Sequence, residues 1–412
     1  MSHSASTLDQ FALSRVNTAK GSVFQPASQA SAQLNPQQDV FKVIASMSAT
    51  PQWGSFADFV INGADFSILN DVLVRVDVSA ISGITGNPSF VADGTFLIQR
   101  VEVSIQDKLV DVITPESMYI RDLVENIGEV KARFMRLSKN DTLANRKTSA
   151  TAAQSFYIQI PSFWNIQPGF FARALNSPIK LRVILANLGD VVQVNAGTGT
   201  AAATVNTVSL IASGREFLNQ QTALAQLAAY RKVPNILFRY LTPIQMSKQS
   251  LVAGSTTYGI NMTSVQGWVS HVFIVVRTAA NVATSFANSP TVFEPLASLN
   301  IKTTGGALIT GGSELLSDYA LNYQSTLYWP GDLTDVATGL GSAPKAVYTV
   351  AFSQDPLRVT HHGAQLGGYH FTGSEILTLT FPAQLSANHY VDVIAMTYAT
   401  LALDSAGNAA KI

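Results

Sequence analysis

Hydrophobic and polar residues alternate with period two along much of the chain. Val72, Val74, Val76 and Val78 alternate with Leu73, Arg75, Asp77 and Ser79. A β-branched pattern of that kind predicts a half-buried strand over Val72–Ile81. Further strands are predicted over Val40–Met47, Phe56–Phe66, Phe96–Ile105, Leu109–Ile113, Phe156–Ile160, Ile179–Leu185 and Val205–Ala212. The second half continues with Ile236–Pro243, Gln249–Tyr258, Val265–Thr278, Val347–Phe352, Glu375–Phe381 and His389–Leu401. Ser82–Pro88 and Asn195–Thr204, rich in Gly, Asn, Pro and small residues, read as loops, as does the polar stretch Ser138–Gln154.

Helical spacing is rare. Thr114 can cap, Pro115 suits a first helical position, and Glu116 places a carboxylate in the first turn, so a helix is predicted from there. Met118, Leu123, Ile127 and Val130 would form its buried stripe. Gln220–Arg231 reads as a second helix, with Leu224, Leu227 and Ala228 at helical spacing and Pro234 beyond its end.

One unit occurs twice. Val101–Asn126 and Leu299–Tyr323 each read strand, turn, strand, helix, and Glu116 and Glu314 take the same place about half a chain apart. The second helix, Ser313–Leu327, would present Leu315, Leu316, Tyr319 and Tyr323. A long strand before the unit and another after it recur in the same order. The pattern predicts an internal duplication: an N-terminal arm over residues 1–39, a first domain over 40–219, a linking helix over 220–234 and a second domain over 235–412. With no flexible Gly/Ser linker between them, the halves are expected to pack together.

Each half offers about eight strands with one helix inserted. Eight antiparallel strands in two facing sheets make a jelly roll, so the expected fold class is all-β, two tandem eight-stranded jelly rolls. A solenoid or propeller would show more than two repeats, and a parallel α/β chain would carry a helix between most strands.

With its polar arm and the runs Leu73-Val-Arg-Val-Asp-Val-Ser-Ala-Ile-Ser, Phe96-Leu-Ile-Gln-Arg-Val-Glu-Val, Asn176-Ser-Pro-Ile-Lys-Leu-Arg-Val and His389–Leu403, the chain resembles the double jelly-roll major capsid proteins of membrane-containing icosahedral DNA viruses. The nearest likeness is to the tectivirus-type bacteriophage coat protein. That resemblance implies a homotrimer of pseudo-hexagonal outline, made in the host cytoplasm. Such trimers tile the virion shell beside neighbouring trimers and minor capsid and vertex proteins, over an internal membrane that the arm could touch.

Composition sharpens the picture. Only 13 % of residues are charged, against about 25 % in an ordinary soluble chain. The 26 basic residues balance 26 acidic ones. A surface so poor in charge fits a chain that buries much of its outside against partners. Neutrality also argues against a nucleic-acid binder, which needs a basic stripe to displace counterions from phosphates. The basic stretch Lys131–Arg146 is interrupted by Asp141. Cysteine is absent, which removes disulfides and thiolate metal sites. The first residues lack a secretory signal pattern, and no apolar run approaches the ~20 residues of a membrane span. The arm carries Leu8, Phe11, Ala12 and Val16 at helical spacing.

Candidate chemistry is sparse, and no catalytic, cofactor or metal residue is assigned. His361, His362 and His370 lie close together, with Asp355 and Glu375 nearby, but no metal-ligand motif frames them. A G-x-S-x-G elbow and a P-loop are both absent. The aromatic loop Phe163–Phe171, with Trp164, reads as filling a subunit interface, the alternative being a sugar-stacking platform. The expected function is therefore a non-enzymatic capsid protein. The alternatives are a β-sandwich spike or carbohydrate-binding protein resting on Trp164, and a metal-dependent enzyme resting on the histidines.

Overall fold

The computed structural model describes residues 37–47, 51–90, 94–124, 143–165, 169–217, 219–233, 235–246, 248–280, 290, 292–303, 306–309, 347–353 and 367–412. The arm up to residue 36, the helix expected over Ser313–Leu327, and His361, His362 and Asp355 lie outside the described residues.

Among the described residues, ten strands precede the linking helix. They are β1 (Gln37–Ala45), β2 (Phe56–Ile61), β3 (Ile68–Val78), β4 (Ser82–Phe90), β5 (Ile98–Ile105), β6 (Lys108–Ile113), β7 (Gln154–Gln159), β8 (Ile179–Leu185), β9 (Val192–Ala202) and β10 (Val205–Phe217). Among them lie helices α1 (Pro115–Val124), α2 (Leu143–Ala150) and the single turn α3 (Leu188–Val191). Helix α4 (Gln220–Arg231) follows. Eleven strands come after it: β11 (Asn235–Gln245), β12 (Gln249–Leu251), β13 (Thr257–Asn261), β14 (Gly267–Thr278), β15 (Ser298–Thr303), β16 (Gly306–Ile309), β17 (Tyr348–Ala351), β18 (Tyr369–Phe371), β19 (Ile376–Thr380), β20 (His389–Asp404) and β21 (Ala409–Lys411).

The first half forms sheets β1-β10-β3-β7 and β2-β8-β5-β6, and the second forms β11-β20-β14-β17 and β13-β19-β15-β16. Number only the eight principal strands of each half in chain order. Both halves then show the same two sheets, 1-8-3-6 and 2-7-4-5. Each half is an eight-stranded antiparallel jelly roll. The short strands β12, β18 and β21 extend the second roll's larger sheet.

Local sequence explains most elements. In β3, Val72, Val74, Val76 and Val78 face the core while Leu73, Arg75 and Asp77 lie half-buried on the outer side. Strand β14 carries the continuous apolar run Val272–Val276 and is buried on both faces there. At the start of α1, Ser117 N donates to Thr114 Oγ1 at 3.3 Å and Thr114 N donates back to Ser117 Oγ at 3.2 Å. That reciprocal cap is the expected helix start.

Several expectations need correction. The supposed loops Ser82–Pro88 and Asn195–Thr204 are largely strands β4 and β9, paired as a two-stranded ribbon. Their Thr, Ile and Val residues suffice for pairing once the flanking strands bring them together. The polar stretch before β7 contains α2. In α4, Leu224 and Ala228 are exposed, and the buried positions are Ala223, Gln226 and Tyr230. Tyr230 packs on Phe171 with ring centroids 4.3 Å apart, so tertiary contact chose the buried face over the apolar stripe.

Candidate functional site

Buried polar chemistry gathers where the two rolls meet, and it is built from the strand-turn-strand-helix unit of the first roll. Hairpin β5–β6 turns at Gln106 and Asp107, both left-handed with φ of 53° and 60°. Asn-Gly would be the easy choice for such a turn. Gln106 instead supplies a side chain that donates to Asn176 at 3.0 Å and to Asn408 at 2.7 Å. It thereby ties the C-terminal turn of the second roll to the first. Gly407 is required there: it has φ +87°, and a Cβ would fall 2.5 Å from Ala174 O.

Asp111 on β6 is a buried hub. Its Oδ1 accepts from Tyr240 Oη at 3.0 Å, Thr242 Oγ1 at 2.9 Å and Lys411 Nζ at 3.1 Å, and its Oδ2 accepts from Ser162 Oγ. Tyr240 and Thr242 come from β11 and Lys411 from β21, so one carboxylate of the first roll gathers three donors of the second. Burial pushes the Tyr240 hydroxyl pKa up, and the adjacent Asp111 charge adds to it. Tyr240 therefore stays protonated and donates.

Glu116, in the first turn of α1, is the second hub. Arg277 of β14 is buried and donates from Nη2 to Glu116 Oε1 at 3.2 Å and to Asp392 Oδ2 of β20. Its Nη1 donates to Pro290 O at 3.3 Å. Lys248 Nζ stands 3.2 Å from Glu116 Oε1, and Gln245 Nε2 donates to Asp392 at 3.3 Å. Burial opposes ionisation of Glu116, but Arg277 and Lys248 outweigh it and hold the carboxyl below its ordinary value. Burial likewise opposes the charge on Arg277, and Asp392 and Glu116 more than restore it.

Apolar packing surrounds both hubs. Phe163 lies against Trp164, Phe170 and Tyr240, and Phe170 against Phe238, at centroid distances of 4.8–6.1 Å. Ile236, Phe238 and Tyr240 of β11 and Ala399, Leu401 and Leu403 of β20 belong to the first roll's apolar core. Tyr119 and Ile120 of α1 belong to the second roll's. Each roll therefore completes the other's core.

The aromatic loop is thus corrected on both readings. Phe163, Trp164, Phe170 and Phe171 are fully buried, and Trp164 Nε1 donates to Ile160 O at 2.9 Å. Trp164 presents no face to a sugar or to another subunit. It fills the seam within one chain.

Of the three candidate histidines only His370 lies within the described residues. His370 of β18 stacks edgewise on Trp268 at 5.4 Å. Glu375 is buried and accepts from Thr372 N and Gly373 N at 3.1 and 2.9 Å, serving a turn. No group of three or more metal-ligating residues occurs among the described residues, and no described helix is long and apolar enough to cross a membrane. His389 Nε2 lies 3.4 Å from Glu294, whose hydrogen bond raises the imidazole pKa.

His271 is buried in β14 beside Ser270 Oγ (3.2 Å) and the Phe273 ring. Burial, with a smaller push from Arg121, lowers its pKa from 6.5 to about 3. The unfolded chain therefore takes up a proton that the folded one refuses. The stability His271 confers is complete above pH 6.5 and is lost as pH falls from there toward 3, at about 1.4 kcal/mol per pH unit. His271→Leu should flatten the acid limb of stability against pH by that slope, read from urea midpoints between pH 7 and 4.5. An unchanged slope would contradict the assignment.

No protein-family model matches the sequence, and no curated protein does. Solved structures do match. VP54 of PBCV-1, fitted into a reconstruction of the virophage Sputnik, aligns with a TM-score of 0.65 at 17 % identity, over 91 % of this chain and 97 % of that one. The Faustovirus major capsid protein aligns at 0.61 with 9 % identity, over 95 % and 97 % of the two chains. The mavirus major capsid protein aligns at 0.52 with 10 % identity, over 90 % of each. The chain has the double jelly-roll fold. The likeness runs through both rolls.

Proposed function

We propose that the chain is a major capsid protein, without enzymatic activity, that self-assembles as pseudo-hexagonal homotrimers into an icosahedral virion shell over an internal membrane. The observation that carries this reading is the seam. Two rolls of identical topology are locked side by side by buried polar hubs and shared apolar packing. Such a pair is a rigid double block, and three of them supply six similar blocks around one axis. A low charge content suits a block that is covered on several sides. The major capsid proteins of Faustovirus and mavirus, which share the fold, support the same role.

On this reading the domains are those expected, 40–219 and 235–412, joined by 220–234. The arm over residues 1–39 contacts neighbouring trimers or the membrane, minor capsid and vertex proteins complete the shell, and synthesis takes place in the host cytoplasm. The tectivirus-type resemblance points to a bacteriophage. Light scattering of the purified protein is expected to give three times the 44.0 kDa chain mass, with shells or rings visible by electron microscopy. A monomer at all concentrations would overturn the proposal.

A further inference from the structure

Strand β1 is apolar on both sides. Val40 and Ile44 pack against the first roll's core. Phe41 and Val43 point the other way and are 72 % and 71 % exposed, and Met47, just beyond the strand, is 72 % exposed. Register places Val43 beside Ile211 of β10 and Leu73 of β3 in one lateral row, so these residues lie on the outer face of the β1-β10-β3-β7 sheet. An edge strand that shows water a row of large apolar side chains is an unprotected association surface.

The second roll shows what the corresponding face is for. In sheet β11-β20-β14-β17 the outer row runs through His271, Phe273, Val275 and Arg277 of β14 and Asp392, Ile394 and Met396 of β20. All of these are buried. Residues of α1 take part in the cover: Glu116 meets Arg277, and Tyr119 and Ile120 enter the second roll's core. Two rolls of one topology thus present the same sheet face in different states among the described residues: the outer row of the central strands is buried in the second roll, while in the first Leu73, Arg75 and Ile211 are only half-buried and edge strand β1 is open.

We infer that a second copy of this chain seats its second roll on the open face of the first, with Phe41, Val43 and Met47 as the anchoring residues. This rests on the self-assembly proposed above and names its surface. The contact repeats between chains the arrangement that the seam makes within one chain. It is head-to-tail, so it propagates until a ring closes.

Two measurements on the full chain test it. The double variant Phe41→Asp, Val43→Asp should weaken association about 100-fold or more, reducing the mass in light scattering to one chain, with the circular dichroism spectrum unchanged. A folded variant that keeps the wild-type oligomer mass overturns the inference and leaves the capsid reading intact. A wild-type monomer would instead overturn that reading. The second measurement needs no disruptive change. A photo-cross-linking benzoylphenylalanine replaces Val43 in a mixture of nitrogen-14 and nitrogen-15 labelled chains. Mixed-isotope cross-links to residues 235–412 are expected. Cross-links confined to residues 1–36 would show that the chain's own arm covers the face, and links to another first roll would show face-to-face pairing. Either result overturns the inference, as does an oligomer that gives no cross-link between copies.

Discussion

Arg277→Met is expected to destabilise the isolated protein by about 3–5 kcal/mol at pH 7, the range for a buried ion pair that loses one partner. The guanidinium is the only cation in direct contact with both Glu116 and Asp392 among the described residues. Without it Asp392, which is fully buried, keeps only the Gln245 amide as a described polar partner, and Glu116 keeps the half-exposed Lys248 as its only described cation, beside its own backbone amide. Pro290 O also loses its donor. Chemical denaturation followed by fluorescence reads the loss.

Two further results separate electrostatics from packing. In the variant the orphaned carboxylates favour their protonated forms, so the deficit should shrink as pH falls from 7 toward 4.5. In the wild type the sign is opposite. The lowered Glu116 pKa contributes stability that is complete above the ordinary value of 4.5 and is lost as pH falls through the folded value. The triple variant Glu116→Gln, Arg277→Met, Asp392→Asn should recover most of the loss, because no charge is left buried. A loss below 1 kcal/mol for Arg277→Met, with no pH dependence, would mean that the network does not hold the seam.

Asp111→Leu should cost a similar amount, about 3–5 kcal/mol, by another route. Leucine keeps the branching and the heavy-atom count but leaves the hydroxyls of Ser162, Tyr240 and Thr242 without their acceptor. It also strands the Lys411 ammonium beside Val110 O. Asp111→Asn preserves an acceptor oxygen and should cost markedly less. Lys411→Met removes the only charged partner among the described residues but touches a partly exposed group, so about 1 kcal/mol or less is expected. If Asp111→Leu and Lys411→Met proved equal, the hub would be an ordinary surface ion pair. Both this substitution and the one at Arg277 act on the contact between rolls, so limited proteolysis should also release the rolls from each other more readily in both variants.

Much of the fold was legible because strand periodicity is a local property. The alternation of β3 and the continuous apolar run of β14 each declared an element and its burial without reference to the rest of the chain. The cap at Thr114 and the bounds of α4 were likewise local. The ribbon β4–β9 was missed because its two arms are too rich in glycine and small residues to announce a strand alone, and they pair across more than a hundred residues. The buried face of α4 was misjudged because Tyr230 found Phe171, a partner that helical spacing cannot reveal. The seam carried one signal that could have been followed. Asp111 and Glu116 stand close together in the repeated unit, and Ile309 and Glu314 occupy the matching places of the second copy. A charge kept in only one copy marks a place where the copies meet different neighbours.

What the sequence determined by itself was the principal strands of each half, their order, the duplication and a surface poor in charge. All of these follow from residue type read along a line. Which sheet faces are covered was decided only in three dimensions. Trp164, legible as an aromatic offered to a partner, became core because β11 of the other roll lies on it. Phe41 and Val43, legible as ordinary strand residues, stayed exposed because no described element of the same chain reaches them. Period two fixes which side of a strand is apolar, but burial depends on what stands opposite, and that is set by contacts between residues hundreds of positions apart.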